Sequence, residues 1–279
     1  MTADVRESRP RVEGMRDTQV RDLDLNAAAK SAANLFVGDS LVFLAPGRGK
    51  NQWVASGTLL ATEAGVVVLT AGHNLTRARD QPLRLGGQHI KGAFEDVAAA
   101  IAIHPEDDVD VGIVFLKDEP AGAVQKWAVP LALILDDVLA NPDVLVIAGF
   151  PAALTVTGDK AAEVGADLAF PGVIHGTNPK DPWLDSKGRY RVDWSERMLE
   201  GGGVARMPNP EGISGGPLWR FRPAASDELW SAQTAAALVG VAVAWDQKAE
   251  TELVVPSSQW RGWLVERVAE FKSHRRQQG

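Results

Sequence analysis

The sequence predicts an all-β protein in two successive units, sandwiches or barrels, closed by one C-terminal helix. Three observations predict it. From residue 35 the chain runs in short β-branched and aliphatic segments cut by Gly, Pro, Asn and Asp. Those segments form two series, separated by the stretch from Pro130 to Pro142. After Ser257 the apolar spacing changes from a strand period to a helix period.

The elements follow in order. Residues 1–24 are polar with scattered charges, and residues 25–34 (LNAAAKSAAN) are Ala-rich, so 1–34 reads as a polar segment ending in a short helix. The first unit, 35–135, holds LFVGDSLVFL, QWVASGTLLA, GVVVLTAG, HIKGAFEDV, AAAIAIHP and DVGIVFLKD, each of strand length. The second, 136–256, holds DVLVIAGFP, ADLAFPGVI, RYRVDW, GPLWRF, ALVGVAVAW and ELVVPS. Over 257–279, Trp260, Trp263, Leu264, Val268 and Phe271 fall at helical spacing behind the capping serines Ser257 and Ser258. Lys272, Arg275 and Arg276 follow, where cations suit a helix C-terminus. A nucleic-acid tail competes with this reading, but a capped helix docked on the body explains the apolar stripe as well.

Composition narrows the function. The net charge of −7, with 36 acidic and 29 basic residues, argues against a nucleic-acid partner, because such binding depends on neutralising phosphates. The chain has no cysteine, which excludes disulfides, Cys-ligated zinc, iron–sulfur clusters and a thiol nucleophile. The first 24 residues contain no apolar signal core, and no window approaches the roughly 18 apolar residues of a membrane span. The expectation is a cytoplasmic protein without a membrane partner.

Three segments carry chemistry. Leu69-Thr70-Ala71-Gly72-His73-Asn74 is a strand running into a histidine, which alone reads as a surface or core imidazole. Asp110-Val111-Gly112-Ile113-Val114-Phe115 is an apolar strand led by an aspartate, which alone reads as a turn residue beside Asp107 and Asp108. Gly212-Ile213-Ser214-Gly215-Gly216-Pro217-Leu218 is the most specific, because glycines around a serine let backbone N–H groups approach a ligand. In the order His, Asp, Ser, these segments resemble the motifs of the trypsin-like serine peptidases, including their bacterial branch. Gly149-Phe150-Pro151 and Val239-Gly240-Val241-Ala242 are similar to further motifs of that family, so the resemblance spans about residues 35 to 271.

The resemblance implies two six-stranded antiparallel β-barrels with a cleft between them. It implies a triad of His73 and Asp110 from the first barrel and Ser214 from the second. Ser214 would be the nucleophile, His73 its general base and acid, and Asp110 the carboxylate that fixes the imidazole tautomer. The amides of Gly212 and Ser214 would form the oxyanion hole. Ala244, Trp245 and Asp246 stand where the family has S-W-G, the segment that pairs with the substrate backbone and borders the specificity pocket. No cofactor or metal is implied, and the partner is a protein or peptide substrate.

Departures limit the carry-over. Ile213 replaces the aspartate that receives the freed N-terminus in animal members, so Arg11-Val12-Glu13-Gly14 is read as no activation site. Asp246 replaces a glycine at the pocket rim, favouring a basic substrate residue or narrowing the entrance. Pro208 occupies the spacing of trypsin's specificity residue and does not align. Gly212-Ile213-Ser214-Gly215-Gly216 also fits the α/β-hydrolase elbow, yet Gly215-Gly216-Pro217 starts no helix and the only later histidine is His274. Gly47-Arg48-Gly49-Lys50 lacks the remaining parts of a phosphate loop, and His89, His104 and His175 lack metal spacing. The 65 residues after Ser214 are taken up by strands and the helix, which leaves no room for a PDZ domain. The expected function is a serine endopeptidase in limited regulatory proteolysis, restrained by residues 1–34 or a regulatory protein. The alternative is a silent or latent binding module on the same fold.

Overall fold

A computed structural model describes residues 37–46, 53–87, 89–90, 92–136, 139, 144–150, 174–175, 184–193, 196–198, 204–206, 210–222 and 236–278. The helix expected over 25–34, the residues of ADLAFPGV, Pro151 and Pro208 lie outside them. Strands that are apolar on both faces need two cores, and this chain supplies them. In β3 (Gly65–Ala71), Val66 and Val68 pack with Val42, Leu44, Leu59 and Val114 inside the first unit. Val67, Leu69 and Ala71 point the other way and join Val146, Trp219, Leu238 and Val241 of the second unit. In β14 (Ala236–Asp246), Ala237, Val239 and Ala242 face a third cluster with Leu145, Ile147 and Leu218. Period-2 alternation thus fills each unit and glues the two together.

The first sheet is antiparallel along the path β4-β1-β2-β3-β6-β5. Its other strands are β1 (Leu41–Pro46), β2 (Ala55–Thr62), β4 (Leu83–Gly87), β5 (Ala98–Ile103) and β6 (Val111–Leu116). The sheet curls until its ends meet. Leu85 and Phe94 exchange two backbone hydrogen bonds of 2.9 Å, and Val97 N–H donates to the Leu83 carbonyl at 3.0 Å, so the lead-in to β5 closes on β4. A two-residue strand, β7 (Val129–Pro130), adds a parallel contact beside Leu60 and Ala61.

The second sheet runs β10-β15-β14-β13-β8-β9. Here β8 is Val144–Ile147, β9 Ile174–His175, β10 Tyr190–Asp193, β13 Pro217–Phe221 and β15 Thr251–Pro256. A separate hairpin pairs β11 (Glu196–Met198) with β12 (Val204–Arg206). Register shifts in β14 near Val239 and Val243 are bulges, which bend the strand as curling requires. The observed architecture is therefore two curled antiparallel sheets, as expected.

Short helices α1 (Gly72–Arg77) and α2 (Asp118–Val124) belong to the first unit, and α3 (Ser257–Gln278) is the expected C-terminal helix. Trp260, Leu264 and Val268 enter the shared core, and the Phe271 ring stacks on Phe115 at 4.1 Å. Leu264 and Val268 are at most 2% exposed, and burial of such a side chain contributes about 1.5–3 kcal/mol. The closing cations face acids of the first unit: Lys272 pairs with Glu63, and Arg275 with Asp118. Ser257 does not cap its own helix; its hydroxyl donates to the Leu135 carbonyl at 2.6 Å and ties the helix to the segment between the units. Among the described residues no helix is long and apolar enough to cross a membrane.

Candidate active site

Pairing of β3 with β6 sets Ala71 opposite Val111, which delivers the residues just beyond each strand to one end of the sheet. His73 is the second residue of α1, and Asp110 directly precedes β6. The aspartate grips the histidine at two points. His73 N–H donates to Oδ1 at 2.7 Å, and Nδ1 lies 2.5 Å from Oδ2. A carboxylate oxygen accepts, so Nδ1 carries hydrogen and Nε2 keeps its lone pair. The two side chains remain 32% and 31% exposed, so their attraction is partly screened and its main effect is orientation.

Ser214 lies in the second of two consecutive turns. Ile213 N–H donates to the Pro210 carbonyl at 2.9 Å, and Gly216 N–H to the Ile213 carbonyl at 2.7 Å. The third residue of each turn is a glycine in the left-handed region, Gly212 at φ 95° and Gly215 at φ 92°. Such turns demand glycine there, which is the physical content of Gly-x-Ser-Gly. A Cβ on Gly215 would lie 2.0 Å from the Ser56 carbonyl and 2.1 Å from Thr70 Oγ1. The serine loop is pressed onto the first unit.

Buried polar groups lock that contact. The Ser214 carbonyl accepts from Ser56 N–H and from Asn74 Nδ2, both at 3.0 Å. Ser56 Oγ donates to the Gly212 carbonyl and accepts from Phe150 N–H, both at 2.8 Å. Thr70 Oγ1 donates to the Ser56 carbonyl at 2.7 Å. Asn74 neighbours His73 in sequence, so the segment that presents the imidazole also holds the serine backbone. Ser214 Oγ itself donates to the Val243 carbonyl at 3.4 Å. Among the described residues it makes no hydrogen bond to the His73 ring, and the amides of Gly212 and Ser214 donate to no other residue.

The sequence gives no role to Ser56, and it offers Asn74 only as the residue that follows His73. Ser56 is marked only as a polar residue inside the apolar run of β2, and Asn74 lies in α1. Of the substrate-binding candidates, Ala244 and Trp245 continue β14 past the point that β13 covers, which ends at Val241. Asp246 ends the strand, and its Oδ1 accepts from Lys248 and Ala249 N–H at 3.1 and 3.2 Å, shaping the turn into β15. His89 stacks on Trp127 and contacts Asp39; His104 packs on Trp263, where burial lowers its pKa. Among the described residues no three His, Asp or Glu side chains group to hold a metal ion.

One acid is out of place. Glu252 in β15 is 1% exposed, and its Oε2 has no hydrogen-bond partner among the described residues. Burial raises its carboxyl well above the usual 4.5. The folded chain therefore holds a proton that the unfolded chain releases above about pH 4.5. This group's contribution is intact below that pH and is lost as pH rises toward the folded-state value. Urea unfolding of wild type and Glu252→Gln at pH 4.5 and pH 8 should show the variant gaining on wild type at the higher pH; parallel pH profiles would contradict the burial argument.

No family model and no curated protein sequence matches the chain. Solved structures do. A serine endoprotease from Yersinia pestis is 14% identical with a TM-score of 0.50, covering 86% of this chain and 65% of that one. A thermostable serine protease, AL20, from an extremophilic microorganism is 15% identical (TM-score 0.49), covering 80% of this chain and 95% of that one. The Rv3671c protease of M. tuberculosis in its active form is 17% identical (TM-score 0.48), with coverages of 94% and 93%. Together with the two curled sheets, the Yersinia likeness shows that this chain has the chymotrypsin-like fold.

Proposed function

We propose that this protein is a serine endopeptidase that cleaves protein substrates through an acyl-enzyme on Ser214. The observation that carries the reading is the two-point grip of Asp110 on His73, one residue from the Asn74 amide that holds the Ser214 backbone. In this reading His73 Nε2 takes the Oγ proton as Ser214 attacks the scissile carbonyl. The oxyanion accepts from the Gly212 and Ser214 amides, and one such donor contributes on the order of 10²–10³ in rate. Collapse breaks the C–N bond, with the proton passing from His73 to the leaving amine. Water, deprotonated by His73, then frees the acid and restores Ser214.

Among the described residues no strand pairs with Ala244–Asp246 beyond the end of β13, which supports substrate binding there by strand addition, in which main-chain hydrogen bonds hold an extended peptide. The second reading, a latent or silent module, is favoured by the Ser214 hydroxyl's bond to Val243 instead of to the imidazole. A latent enzyme awaiting a partner fits limited cleavage of a chosen protein better than general turnover. Mass-spectrometric mapping of cleavage sites in a peptide library decides between these readings. Wild type should give a defined site pattern that Ser214→Ala lacks; an intact library with wild type alone would favour the latent or silent module.

A further inference from the structure

We infer that Glu252 determines specificity at this site, selecting substrates with Lys or Arg on the acyl side of the cleaved bond. The inference rests on the peptidase reading above. A buried carboxyl whose Oε2 has no hydrogen-bond partner among the described residues is unfavourable, and chains keep such groups at few places without a task.

Register locates the group. Glu252 pairs across from Trp245 of β14 and Val192 of β10. Cross-strand pairs share a face, and Val192 and Val254 point into the core of the second unit together with Ile213, the residue before Ser214. Glu252 therefore lies on the face beneath the serine loop. The Ser214 hydroxyl touches Val243; Trp245 is two residues further along, and Glu252 is one strand across. At roughly 3.3 Å per residue and 4.8 Å between strands, that is about 8 Å, a span suited to an extended Lys or Arg side chain.

The chemistry suits the same guest. Tyr190, Val192, Val254 and Trp245 pack in this cluster and offer apolar surface to a methylene stem, with a carboxyl at its end for the cation. A bound guanidinium would replace the solvation that burial removed and release the carboxyl proton to solvent. Asp246 is the other acid on this path, but its Oδ1 already serves the β14–β15 turn.

Peptides identical except for Arg, Lys, Leu or Gln before the cleaved bond test the assignment. Wild type should favour Arg and Lys about 100-fold or more in kcat/KM, and Glu252→Gln should lose that advantage while its fluorophosphonate labelling rate is unchanged. A second measurement does not need catalysis: p-aminobenzamidine fluorescence should report binding to Ser214→Ala and at least about tenfold weaker binding to Ser214→Ala/Glu252→Gln. Equal cleavage after Leu by a labelled wild type, an unchanged Glu252→Gln profile, or p-aminobenzamidine binding that is equal or absent in both proteins overturns the assignment. Binding that depends on Glu252 in a chain that never labels would instead remove the peptidase reading and leave Glu252 as a cation-binding residue.

Discussion

Replacing Ser214 by Ala should lower kcat by about 10⁶, and replacing His73 by Ala should do the same. The double variant should be scarcely worse than either single one. In the proposed mechanism the hydroxyl attacks only while the imidazole takes its proton, so either loss removes the whole function of the pair. What would survive is the proposed transition-state stabilisation by the Gly212 and Ser214 amides, which these side-chain changes leave in place. Single-turnover kinetics on an activated ester measure all three variants. Losses that multiplied in the double variant would mean that the two residues act independently, against the triad.

Asp110→Asn should lower kcat by about 10⁴ with little change in folding. The reason lies in its two contacts. Oδ1 accepts from His73 N–H, and an Asn oxygen can still do that. Oδ2 faces Nδ1 at 2.5 Å, and there the amide places a donor. The imidazole must then turn its lone pair to Nδ1 and carry hydrogen on Nε2, where a base is needed. Asp108 is the control: it is exposed, pairs with Lys187, and should tolerate Asn without loss of activity. Equal damage from both variants would assign Asp110 a general electrostatic role instead of an orienting one.

How much was legible in the sequence differs by residue. His73, Asp110 and Ser214 stood out because strand ends and turn glycines leave local marks, and the tandem turns at Gly212 and Gly215 account for the pattern. Most strands were legible from their apolar runs, since both faces of strands such as β3 are buried. β4 was missed because Gly86 and Gly87 read as a breaker. In the fold, Gly86 sits under the Phe43 ring, where a Cβ would approach to 2.2 Å. Conversely HIKGAFEDV reads as a strand, yet among its described residues only Phe94 forms a β-bridge, to Leu85, and Asp96 takes φ 49°. The contacts of Ser56 and Asn74 to the serine loop are not legible in sequence, because their partners Gly212 and Ser214 lie 156 and 140 positions away. Glu252 carried a faint signal, an acid on the inward phase shared with Val254, whose meaning depends on burial that only the fold reveals.

Covalent labelling with a fluorophosphonate, followed by peptide mapping, asks whether Ser214 is an activated nucleophile. An activated serine beside a base forms a single stable adduct, whereas an ordinary surface serine does not react. One adduct per chain is expected, on Ser214, lost in Ser214→Ala and strongly slowed in His73→Ala. A folded wild-type chain that stayed unlabelled, alone and in the presence of peptide substrates or protein partners, or an adduct on another residue, would contradict that role for Ser214.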